Sequence, residues 1–182
     1  ILNDVRKNGD SAVKKYERKF NGTKTSQLRV SAKEIKEAQS KLTDEEQIAL
    51  GMMSDILQWD TNEFLSSLPS PKKDWPKKDW RSTMTQPTTA ISYTFMPILS
   101  VGCYVPGGQA RYPSSTVMSV IPAKLAGVKR IVVVSPPGRD GKIDPLTIAA
   151  AKMCGATEIY KAGGAQAIGA LAYGTKSIPK VD

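Results

Sequence analysis

The stretch that decides the fold is residues 101–108, Val-Gly-Cys-Tyr-Val-Pro-Gly-Gly, a short apolar segment that runs into a glycine turn. The apolar part predicts a β-strand, and the turn brings backbone N–H groups to the strand's carboxyl end. Ser114, Ser115 and Thr116 follow, and they can cap a helix whose positive end points to the same place. Such a turn suits a phosphate, although one glycine turn alone more often only reverses the chain.

The same plan recurs twice along the chain. Strand-like residues 130–135 end at Pro136-Pro137-Gly138, and strand-like residues 158–161 end at Gly163-Gly164. Segments of helical length separate the strands, and they span residues 116–126 and 145–154. This spacing predicts crossover helices and a parallel sheet. All three turns then fall on one edge, where open α/β sheets bind their ligands.

Composition excludes several classes of protein. The 182 residues are 40% hydrophobic, which is enough for a buried core. No apolar run approaches the roughly 20 residues that cross a bilayer, so we expect a cytoplasmic protein without a membrane segment. Cys103 and Cys154 lie in apolar segments and fit reduced thiols. Without any histidine, the chain cannot build a Ser-His-Asp triad, a histidine metal site or a histidine general base.

Positive charge and a short repeat raise the question of nucleic acid. The formal charge is +9, and Pro-Lys-Lys-Asp-Trp at 71–75 is duplicated at 76–80. Lysines interleaved with tryptophans can track phosphates and stack on bases. However, the aspartates dilute this charge and the other lysines are spread along the chain. We therefore interpret residues 66–88 as an exposed loop, and nucleic acid is not the expected partner.

The first 100 residues predict mainly helices. Residues 1–20 read as two short helices interrupted at Asn8-Gly9, and residues 27–30 as a short strand. The two helices are expected to pack on the one face that carries Leu2, Val5, Val13, Tyr16 and Phe20. Ser31 to Glu34 and Thr43 to Glu46 fit capping boxes that begin two further helices. The second of these is long, and its predicted buried side carries Ala49, Met52, Ile56, Trp59 and Phe64. Residues 90–96 alternate as a half-buried strand.

We expect the boundary between the amino-terminal helical region and the α/β region near residue 100. We expect residues 1–100 to be part of a domain that other sequence completes, and residues 101–182 to be the first half of a nucleotide-binding α/β domain. In the last predicted helix, Ile168 and Leu171 are expected to be buried. No turn carries Gly-x-Gly-x-x-Gly or a Walker-type lysine, so an ordinary Rossmann fingerprint is absent.

Five blocks in order resemble the histidinol dehydrogenase family. They are Val-Gly-Cys-Tyr-Val-Pro-Gly-Gly at 101–108, Pro-Ala-Lys-Leu-Ala-Gly at 122–127, Ser-Pro-Pro at 135–137, Cys-Gly-Ala at 154–156 and Gly-Gly-Ala-Gln-Ala-Ile at 163–168. Residues 5–13 and 20–22 also look like that family's amino-terminal helices. The resemblance covers nearly the whole chain, and the duplicated insert is the main stretch that does not match.

The resemblance implies an incomplete Rossmann-like parallel sheet with an aldehyde dehydrogenase-like architecture. It also implies a zinc-containing homodimer that oxidises L-histidinol through the aldehyde to L-histidine with NAD, at the end of histidine biosynthesis. Tyr104 and Gln166 match family positions that contact NAD. The adjoining turn residues expected to border the cofactor are Pro106, Gly107, Gly108, Gly163 and Gly164. Taken alone, Tyr104 could equally be a core aromatic and Gln166 a helix cap.

The resemblance places other family groups beyond the position of Asp182. These are the Zn²⁺ ligands, a glutamate–histidine acid/base pair, a third NAD contact and the substrate contacts, so no catalytic or metal residue is assigned in this chain. We expect a fragment that neither binds zinc tightly nor oxidises histidinol alone, with an open sheet edge after Lys161. Two alternatives stay open: a related dehydrogenase of another small alcohol, and a non-catalytic basic binding module.

Overall fold

A computed structural model gives the fold and describes residues 1–23, 25–67, 80–86, 89–107 and 111–182. The duplicated segment 71–80, apart from Trp80, lies outside the described residues, as does the predicted site residue Gly108. The helices and strands within the described ranges are α1 Leu2–Asn21, α2 Ala32–Gln39, α3 Asp44–Ser67, β1 Trp80–Gln86, β2 Thr89–Phe95, β3 Ser100–Tyr104, α4 Pro113–Leu125, β4 Arg130–Ser135, α5 Pro145–Cys154, β5 Glu158–Lys161 and α6 Gly164–Tyr173.

The second half forms the predicted parallel sheet. Its strands lie in the order β3-β4-β5, and both pairings are parallel. Helices α4 and α5 are the connections between consecutive strands, as the spacing predicts. The α/β fold class is therefore confirmed.

The outer edge of β5 is covered, so the prediction of an open edge after Lys161 is wrong. Arg29 forms an antiparallel bridge with Tyr160. The Val30 N–H donates to the Ile159 carbonyl at 2.9 Å, and the Lys161 N–H donates to the Leu28 carbonyl at 2.7 Å. The strand predicted over 27–30 is thus a single bridge. Its backbone forms hydrogen bonds with N–H and C=O groups at the outer edge of β5.

A second sheet precedes the parallel one. Strands β1 and β2 pair antiparallel, with Trp80 opposite Phe95. The strand predicted over 90–96 is confirmed as β2. The loop prediction for residues 66–88 is wrong over β1, because backbone pairing with β2 makes residues 80–86 a strand despite their polar sequence.

Strand β4 separates two hydrophobic cores. Ile131 and Val133 face a core that includes residues of α2, α3, α4 and α5. Val132 and Val134 face a second core with residues of α1 and α6. Because side chains alternate along a strand, helices must cover both faces, which explains why four successive positions are apolar. The division near residue 100 stays a prediction, since α1, α2 and α3 contribute to these same cores.

Both predicted capping boxes are confirmed, and α1 is interrupted where the sequence indicates. Ser31 and Glu34 exchange hydrogen bonds at the start of α2. Thr43 and Glu46 do the same before α3, with both distances 3.1 Å. Within α1, Gly9 has non-helical angles (φ 51°, ψ −131°), so two helical segments meet at a kink.

The prediction of the buried face of α3 is wrong. Met52, Ile56, Trp59 and Phe64 are each at least 60% exposed, and Ala49 is exposed too. The contact with α4 is made by another stripe, and its members include Leu50, Met53 and Leu57. The helix is apolar on two sides, so its sequence pattern does not determine which one meets α4. In α6, Leu171 is buried as predicted, but Ile168 is exposed.

Candidate functional site

The three turns that follow the parallel strands meet at one edge of the sheet. A Cβ on Gly163 would lie 2.4 Å from the Cβ of Pro136, and a Cβ on Gly107 would lie 3.1 Å from the Ser135 hydroxyl. A side chain at Gly163 would collide with the neighbouring turn, and one at Gly107 would be tightly packed against it, so glycine suits both positions. We call this edge the rim, defined by Tyr104, Pro106, Gly107, Pro136, Gly163, Gly164 and Gln166.

Tyr104 is the last residue of β3 and projects at the rim. Its side chain is 38% exposed, so it does not fill the core of the sheet. Its hydroxyl accepts a hydrogen bond from the Gly164 N–H at 3.1 Å. The phenol is therefore held against the turn that begins α6, with part of its surface open to a ligand.

Gln166 lies in the first turn of α6, and it is 1% exposed. Its Nε2 donates to Glu17 Oε1 at 2.8 Å, so the amide does not cap the helix. Its Oε1 is buried and has no hydrogen-bond partner within the described part of the chain. A buried acceptor without a donor is uncommon in folded proteins and calls for an explanation.

Tyr104 and Gln166 lie against the same residue. The Tyr104 hydroxyl contacts the Gly164 nitrogen, and Gln166 Oε1 is 3.0 Å from where a Cβ on Gly164 would be. The structure thus brings together two side chains that are far apart in the sequence. That either one contacts NAD stays a prediction.

Sequence reasoning missed Glu17, which connects α1 to the rim. The residue is 0% exposed, and its Oε1 also accepts the Gly163 N–H at 2.7 Å. The available signal was its position: Glu17 follows Val13 by four residues, which places a carboxylate on the buried face of α1. Phe20, which we expected on that face, is 54% exposed.

A charged cleft of about 340 Å³ borders the rim at Gly107, Ser135 and Pro136. Lys41, Arg111 and Lys142 line it together with Asp140 and Asp144. Arg111 donates to both Glu46 and Asp144 at 3.0 Å, so its guanidinium is partly neutralised. Asp144 also caps α5 by accepting from the Thr147 N–H. These charged residues come from separate parts of the sequence, and no local motif predicts that they line one cleft.

The cysteines offer no reactive centre. Burial raises the pKa of the Cys103 thiol to about 11. Burial also raises that of Cys154 to about 11, against a small opposing effect of Lys124. Over the described ranges, no three His, Cys, Asp or Glu side chains cluster as metal ligands. Within the same ranges, no helix is long and apolar enough to cross a membrane.

Comparisons with known proteins indicate the same family by sequence and by structure. The family model described as histidinol dehydrogenase matches residues 1–182. A histidinol dehydrogenase of Bacillus licheniformis is 44% identical over 183 residues, and one of Methanosarcina mazei is 40% identical over 182 residues. Each alignment covers 100% of this chain and 40% of the relative.

The fold has a solved counterpart as well. The crystal structure of histidinol dehydrogenase from Elizabethkingia anophelis is similar to this chain with a TM-score of 0.81 and 34% sequence identity. The match covers 100% of this chain and 39% of that one. The chain therefore spans about 40% of the length of the curated relatives that it matches.

Proposed function

The chain belongs to the histidinol dehydrogenase family, and on this premise we propose that the full-length protein oxidises L-histidinol to L-histidine through the aldehyde. NAD would accept the hydride in each of the two oxidations. The observation that carries the proposal, beside the family match, is that Tyr104 and Gln166 lie together against Gly164.

The residues of the rim fit a dinucleotide. Tyr104 offers a phenol that can pack on a cofactor or bond to it, and Gln166 carries an acceptor that lacks a donor. Pro136 packs against both the Gly107 and the Gly163 turns, so the strand ends that would border the cofactor are packed together. In this proposal the chain binds and orients the cofactor, while hydride acceptance is what NAD supplies when bound.

Zinc does not fit the described part of this chain. The chain contains no histidine, and the described residues hold no cluster of metal ligands. We therefore derive no step through zinc from these residues. The proposal places the zinc ligands, and the base that takes the proton from the alcohol, in the remaining part of the family polypeptide. It follows that the 182 residues alone should neither hold zinc tightly nor turn over histidinol.

We further propose that the full-length protein is a cytoplasmic homodimer, as the family resemblance implies. The stripe of α3 formed by Ile48, Met52, Ile56, Trp59 and Phe64 is exposed among the described residues. A large apolar patch of this kind is usually covered by other protein surface. Sedimentation of the full-length protein tests the dimer: a monomer at micromolar concentration would contradict it.

The activity is tested by expressing the complete reading frame that contains residues 1–182 and measuring NADH formation with L-histidinol and zinc. An alcohol becomes an acid through two successive two-electron oxidations, so we expect two NADH per histidinol consumed. Absence of turnover with zinc and NAD present would refute the activity, while leaving the family assignment intact.

A related dehydrogenase of another small alcohol is the second candidate, because the described residues include no assigned substrate contact. The same preparation should be given other amino alcohols at equal concentration. A higher kcat/KM for one of them than for L-histidinol would favour this candidate.

A further inference from the structure

Glu17 makes an unusual connection between the first helix and the rim. Its buried carboxylate receives three hydrogen bonds from amide groups. Oε1 accepts from the Gly163 N–H at 2.7 Å and from Gln166 Nε2 at 2.8 Å, and Oε2 accepts from Asn21 Nδ2 at 2.6 Å. Because Gly163 caps the start of α6, the carboxylate occupies the place where the helix end favours an anion.

This carboxylate fixes the polarity of the Gln166 amide. Glu17 Oε1 accepts from both the Gly163 N–H and Gln166 Nε2, so the amide presents its NH₂ group to Glu17. The Gln166 oxygen then points away from Glu17, and it is the buried atom without a donor. A buried acceptor without a donor destabilises the folded chain, so a ligand that supplies the donor would remove this cost.

We propose that Glu17 is a positioning residue of the rim, which holds Gln166 so that its Oε1 accepts a hydrogen bond from a neutral hydroxyl or amino group of the bound dinucleotide. The inference rests on the proposed function. It also assigns a polarity to the subsite. The Gly163 N–H is already bonded to Glu17 and the amide turns its acceptor away from Glu17, so both groups disfavour a phosphate at the Gly163–Gly164 turn. Gln166 Oε1 lies 3.0 Å from where a Cβ on the exposed Gly164 would be, so the backbone of one surface glycine separates the acceptor from solvent.

The test compares variants of the full-length protein by NAD titration and by separate KM and kcat values. Glu17→Met keeps the side-chain volume but loses the acceptor, and we expect a Kd for NAD raised about tenfold, the effect of roughly one buried hydrogen bond. Glu17→Gln keeps a carbonyl oxygen for the Gly163 N–H and the Gln166 amide, so its Kd should stay within about threefold of wild type. The KM for L-histidinol should not change in either variant.

Asp4→Ala is the matched control. Asp4 is also a carboxylate of α1, and it accepts hydrogen bonds from Asn8, Lys15 and Tyr16 away from the rim. Its removal should lower the melting temperature without changing the Kd for NAD. If Glu17→Met behaves like Asp4→Ala, or if Glu17→Gln loses tenfold in affinity, the positioning role is refuted. If the methionine variant does not fold, Glu17→Ala replaces it: the same tenfold loss supports the positioning role, and unchanged NAD affinity refutes it.

A double-mutant cycle shows whether Glu17 acts through Gln166. Glu17→Met and Gln166→Leu should not add when combined, because each removes the same oriented acceptor. Losses of NAD affinity that add fully would contradict the inference.

Salt dependence tests the polarity of the subsite. A neutral donor predicts that the affinity lost on Gln166→Leu is the same at low and high ionic strength, whereas a loss that shrinks as salt rises would indicate an anion there and overturn the inference. If the wild-type protein does not bind NAD at all, the proposed function fails. If it binds NAD and the Glu17 variants bind equally well, only the positioning role fails.

Discussion

The hydroxyl oxygen of Tyr104 lies 3.1 Å from the backbone nitrogen of Gly164, which joins the end of the first parallel strand to the start of the last helix. Strand β4 lies between the two strands that carry these turns. The side chain of Tyr104 therefore crosses the end of β4 to contact the turn that follows β5. Pro136, at the end of β4, packs against the Gly107 and Gly163 turns.

This close packing makes Gly163 a position where alanine should be harmful. The added Cβ would meet the Cβ of Pro136 at 2.4 Å, so we expect Gly163→Ala to lower the free energy of unfolding by about 1–3 kcal/mol. Gly51→Ala is the matched control, because a Cβ there meets nothing within 4 Å and Gly51 lies inside α3. It should stabilise the chain by about 0.5–1 kcal/mol. Urea unfolding of both variants measures this, and equal effects would contradict the packing of the rim.

The exposed apolar stripe of α3 predicts self-association of the 182-residue chain. Trp59 is 70% exposed, so Trp59→Lys should reduce association in sedimentation experiments and leave the free energy of unfolding within about 0.5 kcal/mol of wild type. Leu50 is on the buried stripe, and Leu50→Ala should cost about 2–5 kcal/mol. If Trp59→Lys destabilises the chain as much as Leu50→Ala does, the assignment of the two faces is wrong.

Acid should weaken the contact between α2 and the end of β5. Glu34 pairs with the buried Lys161. Burial alone would raise the pKa of Glu34, but hydrogen bonds from Lys161 and Ser31 outweigh it and the pKa is lowered from 4.5. A lowered native pKa gives stability that is present above about pH 4.5 and is lost as the pH falls through the native value.

The measurement is the melting temperature of wild type and Glu34→Gln between about pH 7 and pH 3. The variant should be less stable at neutral pH, and the difference should shrink in acid. Glu37→Gln serves as control, since Glu37 forms an exposed pair with Lys33 at 3.9 Å. A difference between wild type and Glu34→Gln that does not change with pH would contradict the role of this ion pair.

The two thiols should be inert in the folded protein. Both are buried, and burial raises their pKa to about 11, so little thiolate forms at about pH 8. A thiol reagent should label neither Cys103 nor Cys154 until denaturant is added, after which both should react. Rapid labelling of either cysteine without denaturant would show that its thiol is accessible to solvent in the folded protein.

The sequence carries enough information for the parallel half of the fold. Short apolar strands, glycine turns and capped helices are local patterns, and β4 and β5 span the residues that those patterns predict. The convergence of the Gly107 and Gly163 turns could be anticipated too, because consecutive parallel strands end on the same edge.

The sequence does not show which distant element each helix face or strand contacts in the fold. Both stripes of α3 are apolar, and only contact with α4 distinguishes Leu50 from Trp59. Likewise, helical spacing places Glu17 on the buried face of α1, but its contact with Gln166 exists only because α1 packs on α6. Residues 80–86 are a strand because β2 pairs with them. Each of these is a long-range relationship that local periodicity does not encode.

The central claim is that Tyr104 and Gln166 contact one NAD molecule at the rim. The most direct measurement is the Kd for NAD of the full-length protein carrying Tyr104→Ala or Gln166→Ala. Tyr173→Ala, at the far end of α6, is a control of similar exposure, 43% against 38%. We predict that each rim variant raises the Kd about tenfold or more while the control leaves it unchanged. Unchanged affinity in both rim variants, with wild-type binding intact, would contradict the account.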